Sequence, residues 1–443
     1  MGDKRKQKRT TKKTSWENMR SWVGAVLCIA IIVVIATYVA KLVPGSSAWD
    51  PNPTGIDTIT PTPWGSINPV NIIFGKPIQL TGNPDDPWED QYHFSETGEF
   101  FQDISGNYIL FSADTTHLVQ PIRSTLFLYK IKEKILEKIS LPGDGIVPFS
   151  AEQGASMWGD NVVICFNYNI YLYKINSKEL VAITNDVVTE GSFKPNKHPD
   201  IYKNLVVWSR KPTPTSRYQI VLYDINDINN NQSRLVDPDG GGNGPVGNDQ
   251  LMPLIFGTNV VWLEPTKIGN QNYDLLIWYD MKNTIRRILE MDRYSVADHD
   301  VYEDQIVWRS TDSVDGRVTY IKEFQMSTMS RRTIIKAEGM SPGIIGTPRI
   351  WKGLLIYNHY NFNPMLGQVL AMIDTKNQDK SYNLSAFGKG SSYIELGIDG
   401  SESAFIYPGP PYEFKVAFDG DHINPRTGSL DESNIYLIEG VAY

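Results

Sequence analysis

The sequence predicts an all-β fold behind a single apolar N-terminal helix. Seven copies of one four-strand phrase predict the strands. A composition rich in aromatics, glycine and proline agrees with them, and an uncharged run near the N-terminus predicts the helix. Aromatics make up 11% of the 443 residues, with 35 glycines and 27 prolines, a balance that favours strands and tight turns over helices.

The N-terminus comes first. Residues 1–20 hold eight Lys/Arg against Asp3 and Glu17, a net of +6, which leaves −14 for the rest of a chain whose total is −8. The next 20 residues, Ser21 to Ala40, carry no charge. At ~1.5 Å per residue such a helix spans roughly the 30 Å bilayer core. The spacing predicts a basic cytoplasmic tail over 1–20 and a transmembrane helix over 21–43, by which the chain meets the membrane. The basic flank places everything beyond it outside the cytoplasm. The competing expectation is a cleavable leader, with Ser46 and Ala48 as small residues near a cleavage point. Residues 44–71 follow as a Pro/Thr-rich stalk. Six prolines between 44 and 70 forbid helix there and remove sheet donors.

The repeat begins beyond the stalk. One unit reads HPDIYKNLVVWSR, then QIVLYDI, then SRLV. The next reads MPLIFGTNVVW, DLLIWYDM, RRIL, and the one after it HDVYEDQIVW, VTYIKEF, RRTII. Weaker copies flank these. The second strand of each unit ends near Phe111, Ile164, Trp208, Trp262, Trp308, Tyr357 and Tyr407, at intervals of about 50 residues. Four short strands per repeat of this length predict a seven-bladed β-propeller over 72–443. We name the strands of each blade a to d. The last unit stops after strand c, at NIYLIEG. The strand-like KPIQL at 76–80 is unassigned and is expected to supply the missing strand d. Ring closure of this kind removes an exposed sheet edge.

The phrase P-x-I-x-x-x-x-V-V-W followed by I-x-L-Y-D-I resembles the TolB-type propeller repeat of bacterial and archaeal envelope and surface proteins. The resemblance spans roughly 72–443 and is clearest over 198–310. It implies a fold, and a periplasmic or surface interaction role, since most such members are interaction proteins and some propellers are enzymes.

Two regions are candidates for function. Strand a of each blade lines the axis, and aligning the units puts Asp103, Ser156, Asp200, Leu254, Asp300, Arg349 and Gly397 at equivalent positions. Asp103, Asp200, Asp300 and Arg349 form a candidate polar channel site for a cation or polar ligand. The second region is the face carrying the longer b–c and d–a connections: 82–97, 209–218, 237–250, 263–273 and 358–367. If KPIQL is strand d of the last blade, this face is expected to project outward. Trp88, Tyr92, Tyr360 and Phe362 are its candidate binding aromatics, because exposed aromatics anchor interfaces.

No complete catalytic set is present. Gly339-Met340-Ser341-Pro342-Gly343 has the G-x-S-x-G pattern, but Pro342 lacks the N–H that an oxyanion hole takes from that position. Residues 242–247 match G-x-G-x-x-G with no helix expected after them. Asp237-Pro238-Asp239-Gly240 and Asp419-Gly420-Asp421 faintly resemble calcium loops without the EF-hand spacing. No cofactor is expected, and the metal content is open, with calcium the ion considered. The acidic body argues against nucleic acid. Cys28 and Cys165 are not expected to pair. The resulting expectation is a membrane-anchored, extracytoplasmic scaffold or ligand-binding module, a component of an envelope complex whose partner is another envelope protein or a surface ligand. The alternative is a propeller enzyme acting on a polysaccharide through the channel.

Overall fold

A computed structural model describes residues 72–74, 78–81, 99–114, 124–142, 154–186, 193–227, 233–237, 248–292, 296–311, 318–338, 348–360, 368–376, 380–386, 396–400, 412–423 and 430–442. The expected tail, transmembrane helix and stalk lie outside these residues.

Two short strands come first, β1 (Ile72–Phe74) and β2 (Ile78–Gln79). Blade 1 is β3 (Glu99–Ser105), β4 (Tyr108–Asp114), β5 (Ser124–Lys130) and β6 (Ile135–Ile139). Blade 2 is β7 (Ala155–Trp158), β8 (Asn161–Phe166), β9 (Asn169–Lys174) and β10 (Glu179–Ala182). Blade 3 is β11 (Asn196–Tyr202), β12 (Leu205–Arg210), β13 (Gln219–Asp224) and β14 (Arg234–Leu235). Blade 4 is β15 (Leu251–Phe256), β16 (Asn259–Ile268), β17 (Gln271–Asp280) and β18 (Ile285–Asp292). Blade 5 is β19 (Val296–Tyr302), β20 (Gln305–Thr311), β21 (Val318–Gln325) and β22 (Ser330–Glu338). Blade 6 is β23 (Arg349–Trp351), β24 (Leu354–Tyr360), β25 (Gln368–Asp374) and β26 (Lys380–Ala386). Blade 7 takes β27 (Leu396–Gly400), β28 (Tyr412–Ile423) and β29 (Leu430–Ala442).

Blades 1 to 6 are antiparallel meanders in chain order. The seven-bladed, four-stranded propeller expected from the repeat is the observed fold. The last sheet runs β1-β29-β28-β27, with β2 also on β29. Ile78 pairs with Leu437 and Gln79 with Tyr436, so the KPIQL segment lies along strand c of the last blade. β1 extends that edge, pairing Ile72 with Ala442.

The blades pack face to face through apolar clusters that run unbroken round the ring. Cys165 and Trp208 join blades 2 and 3, Val207 and Trp262 join blades 3 and 4, and Val261 and Trp308 join blades 4 and 5. Phe111, Ala417 and Leu437 close blade 7 on blade 1. The three tryptophans are fully buried. A buried indole N–H needs an acceptor. Trp208 donates to Asn196 Oδ1 at 2.9 Å, Trp262 to Glu264 Oε1 at 2.9 Å and Trp308 to Glu290 Oε2 at 3.3 Å. Cys165 is a free, buried thiol, and burial pushes its pKa up.

Three sequence expectations need correction. Strand b of the seventh unit is not SAFIY, the run that ends at Tyr407. It is Tyr412–Ile423, and Leu396 pairs with Phe418, which is fully buried in the aromatic position. Tyr407 itself lies outside the described residues. The prolines at 408, 410 and 411 explain the shift, because they remove the ladder donors just after SAFIY. Next, the connection 263–273 is mostly strand. β16 and β17 continue as a paired hairpin out to Ile268 and Gln271 around a Gly269–Asn270 turn. Finally, Asp419-Gly420-Asp421 is ladder rather than loop, paired with Ile435, Asn434 and Ser433.

Candidate functional site

The innermost strand of each blade sets the geometry of the axis. In blades 1, 3, 4 and 5 this strand carries a bulge just before the aligned axial position. Two residues before that position, Gly154, His198, Met252 and Asp298 all adopt left-handed backbone, at φ of 67°, 49°, 54° and 52°. Only Gly154 does so without steric cost, which is of order 1–3 kcal/mol at a non-glycine residue. Pro199 and Pro253 follow in blades 3 and 4 and are tolerated because a bulge asks for no ladder donor there. His299 takes that place in blade 5.

Register confirms that the aligned residues are equivalent. Asp103 pairs with Leu110, Ser156 with Val163, Asp200 with Val207 and Leu254 with Val261. Asp300 pairs with Val307, Arg349 with Ile356 and Gly397 with Ala417. The carboxylates are not left open on the axis. Asp103 Oδ2 accepts the Met157 N–H of the next blade at 2.7 Å, Asp200 Oδ2 accepts Ile255 N–H at 2.7 Å, and Asp300 Oδ2 accepts Ile350 N–H at 2.8 Å. The other oxygen of Asp103 and Asp300 accepts the N–H of its own following residue, Ile104 and Val301. Blades 1, 3 and 5 thus each clasp the inner strand of the blade that follows.

The four candidate residues fall into two groups. Ser156 Oγ lies 3.0 Å from Asp103 Oδ2 and 2.7 Å from Asp200 Oδ1, joining those two. Burial raises Asp200 to about 7, with the neighbouring Asp103 charge adding to the rise. Asp300 belongs with Arg349. Burial raises its pKa, and the Arg349 guanidinium opposes the rise. Arg349 itself donates to His299 O at 3.4 Å. Burial, and then Arg349, lower His299 to about 4, so it is neutral in the folded protein. Among the described residues, no group of three or more His, Cys, Asp or Glu side chains is placed to hold a metal ion.

Two residues beyond each axial position stands another layer. There Trp158, Tyr202, Phe256, Tyr302 and Trp351 form an arc across five blades. Consecutive ring centroids are 4.5, 4.4, 4.6 and 6.3 Å apart. Because alternate residues of a strand share a face, the acids and the aromatics occupy successive layers of one surface. This arc was not among the residues singled out from the sequence. Its signal was present as an aromatic closing strand a in blades 2 to 6.

On the other face, Trp88, Tyr92 and Phe362 lie outside the described residues. Tyr360 ends β24, paired with Gln368, and its side chain is likewise outside the description. Residues 339–347 and 238–247, which hold the two glycine motifs, are outside as well. The 209–218 connection is built around a tight turn in which Thr213 N–H donates to Ser216 Oγ and Ser216 N–H to Thr213 Oγ1. Next to it, Tyr218 donates its hydroxyl to Lys194 O at 2.6 Å, with the Lys197 and Lys211 ammonium groups 4.9 and 5.5 Å from its ring.

No protein-family model matches this chain, and no curated protein does. Solved structures with a similar fold include BamB from Moraxella catarrhalis, at 12% identity over 77% of this chain and 84% of that one, TM-score 0.36. The β-propeller domain of the Trilobed protease from Pyrococcus furiosus matches at 10% identity over 76% and 93%, TM-score 0.46. The Pyrococcus horikoshii acylaminoacyl peptidase matches at 8% identity over 80% of this chain and 52% of that one, TM-score 0.47.

Proposed function

We propose that this chain is a membrane-anchored, extracytoplasmic propeller that serves as a protein-interaction or ligand-binding module within an envelope assembly. The observation that supports this reading best is the asymmetry between the two faces of the ring. Strands a and b are joined by two-residue turns in blades 1 to 6, such as Lys203–Asn204 and Glu303–Asp304. The opposite face carries the β16–β17 hairpin, which continues past the body of the blade and leaves Ile268 at its tip 53% exposed. Elaborated connections on a rigid scaffold are where binding residues concentrate. The uncharged run at 21–40 and its basic flank support the anchor. The axial acids are occupied by backbone N–H groups, so a polysaccharide-cleaving step is not built on them.

Photo-crosslinkers placed in the full chain at Ile268 and at Glu303, in native membranes, test the reading. Adducts to a specific envelope protein or surface ligand from Ile268 are expected. Adducts from Glu303 alone would overturn the assignment of the face. A protease added outside intact cells should remove the acidic body and spare residues 1–20.

A further inference from the structure

In blades 1, 2, 4 and 5 strand d presents a large residue opposite an equivalent place on strand c. Register puts Leu136 there in blade 1, opposite Tyr129, and Leu180 in blade 2, opposite Tyr173. Blades 4 and 5 place Arg286 opposite Tyr279 and Arg331 opposite Phe324. Each of these large side chains helps fill the outer groove against the preceding blade. Between blades 3 and 4 an arginine occupies the groove. Arg286 reaches both oxygens of Glu264 at 2.9 Å and Asp237 at 3.0 Å, and Glu264 also takes the Trp262 indole N–H.

Blade 3 departs from this pattern, as does blade 6, where Ser381 stands opposite Ile373. Val221 pairs with Leu235 and Leu222 with Arg234, which brings Ser233 opposite Tyr223. A serine stands where its neighbours hold leucine or arginine. The groove between blades 2 and 3 is accordingly open, a cleft of about 460 Å³ whose lining includes Thr184, Asp186, Trp208, Arg210, Tyr223 and Ser233. The charge is inverted as well. Two residues after the buried tryptophan, blade 4 has Glu264 and blade 3 has Arg210.

Arg210 is poorly used by the protein around it. It reaches Ser233 Oγ at 3.3 Å and Asp186 Oδ1 at 3.5 Å, both at the long limit of a hydrogen bond. Its Nε is buried and has no acceptor among the described residues. Asp186 is committed elsewhere, since its other oxygen takes the Asn196 amide at 2.8 Å. The Arg210 side chain as a whole is 34% exposed and lines the cleft, and the group that matches the guanidinium fork is a planar carboxylate. We propose that the cleft between blades 2 and 3 binds a small organic carboxylate, with Arg210 as its principal donor and Thr184, Tyr223 and Ser233 as polar lining. Asn196 and Asp186 act as positioning residues that hold the wall. The proposal does not depend on the partner-binding reading above.

The full chain is titrated calorimetrically with D-glucuronate and D-glucose, and with N-acetylglutamate and N-acetylglutamine. The carboxylate of at least one pair is expected to bind at least about tenfold more tightly than its neutral analogue, the scale of one charge-assisted pair. The pair showing the preference says whether the source is a sugar acid or an acidic side chain. Two variants should lose the preference. Arg210→Gln removes the donor. Ser233→Leu restores the filling residue of blades 1 and 2, so it should keep or raise the melting temperature and serves if the first variant folds poorly. No preference in either pair, or a preference unchanged in Ser233→Leu, overturns the proposal.

Discussion

The Ser156 hydroxyl lies 2.7 Å from Asp200 Oδ1 and also 3.0 Å from Asp103 Oδ2, yet it has one proton to give. If both carboxyls were ionised, one of those contacts would set an oxygen lone pair against a negative charge. A proton on Asp200 resolves this. Asp200 then donates to Ser156, and Ser156 donates to Asp103. Asp103 then remains the acceptor, its two oxygens also taking the backbone N–H groups of Ile104 and Met157. The rise of Asp200 to about 7 through burial agrees.

Asp200→Asn tests this count, because an amide has the shape and hydrogen-bonding pattern of the protonated acid. The folded-state pKa lies above the unfolded value, so the stability tied to this proton is fully present below about pH 4. It is lost as pH rises through about 7. The variant should therefore match the parent at pH 4 and exceed it at pH 8, by on the order of 3–4 kcal/mol. Chemical denaturation at both values reads this. A variant that is equally destabilised at both would refute the shared proton.

His299 has the opposite sign. Its folded-state pKa is lowered to about 4, so it favours folding above its unfolded value near 6.5 and works against it as pH falls toward 4. The imidazole should stay neutral in an NMR titration down to about pH 4, while an exposed histidine titrates near 6.5. Titration of His299 near 6.5 would show that water reaches it.

Trp262→Ala should cost about 3–5 kcal/mol through the cavity left between blades 3 and 4. Trp262→Phe separates the hydrogen bond from the packing. It should cost less than the alanine variant, about 1–3 kcal/mol, by leaving buried Glu264 with one donor fewer. Equal costs for the two variants would mean that the indole N–H carries most of the effect.

Deleting residues 72–81 should strip β1 and β2 from β29 and expose its edge. We expect a lower melting temperature, faster amide exchange over 430–442, and self-association through the bare strand. Size-exclusion chromatography with light scattering and hydrogen exchange report both effects. Unchanged exchange in β29 would show that the edge needs no cover.

The seven repeats, the aromatic ends of strand b in blades 1 and 3 to 6, and the axial alignment from Asp103 to Gly397 were all readable along the chain. Each is a local pattern with a fixed period, and strand geometry converts period directly into face. The unit that failed was the seventh, where prolines after SAFIY break the phrase and Tyr412–Ile423 supplies the strand instead. What Asp103, Asp200 and Asp300 do was not readable. Their partners are N–H groups of the next blade, about 50 residues away, and a backbone donor leaves no mark in a sequence. The open groove at Ser233 was hidden for a related reason. A serine in a turn-rich segment looks ordinary until closure of the ring places it beside Arg210 and Asp186, where only its small size matters. The sequence alone determined which residues recur and which face of a strand they share. Tertiary structure decided which blade each side chain answers to, because that contact forms across the ring and not along the chain.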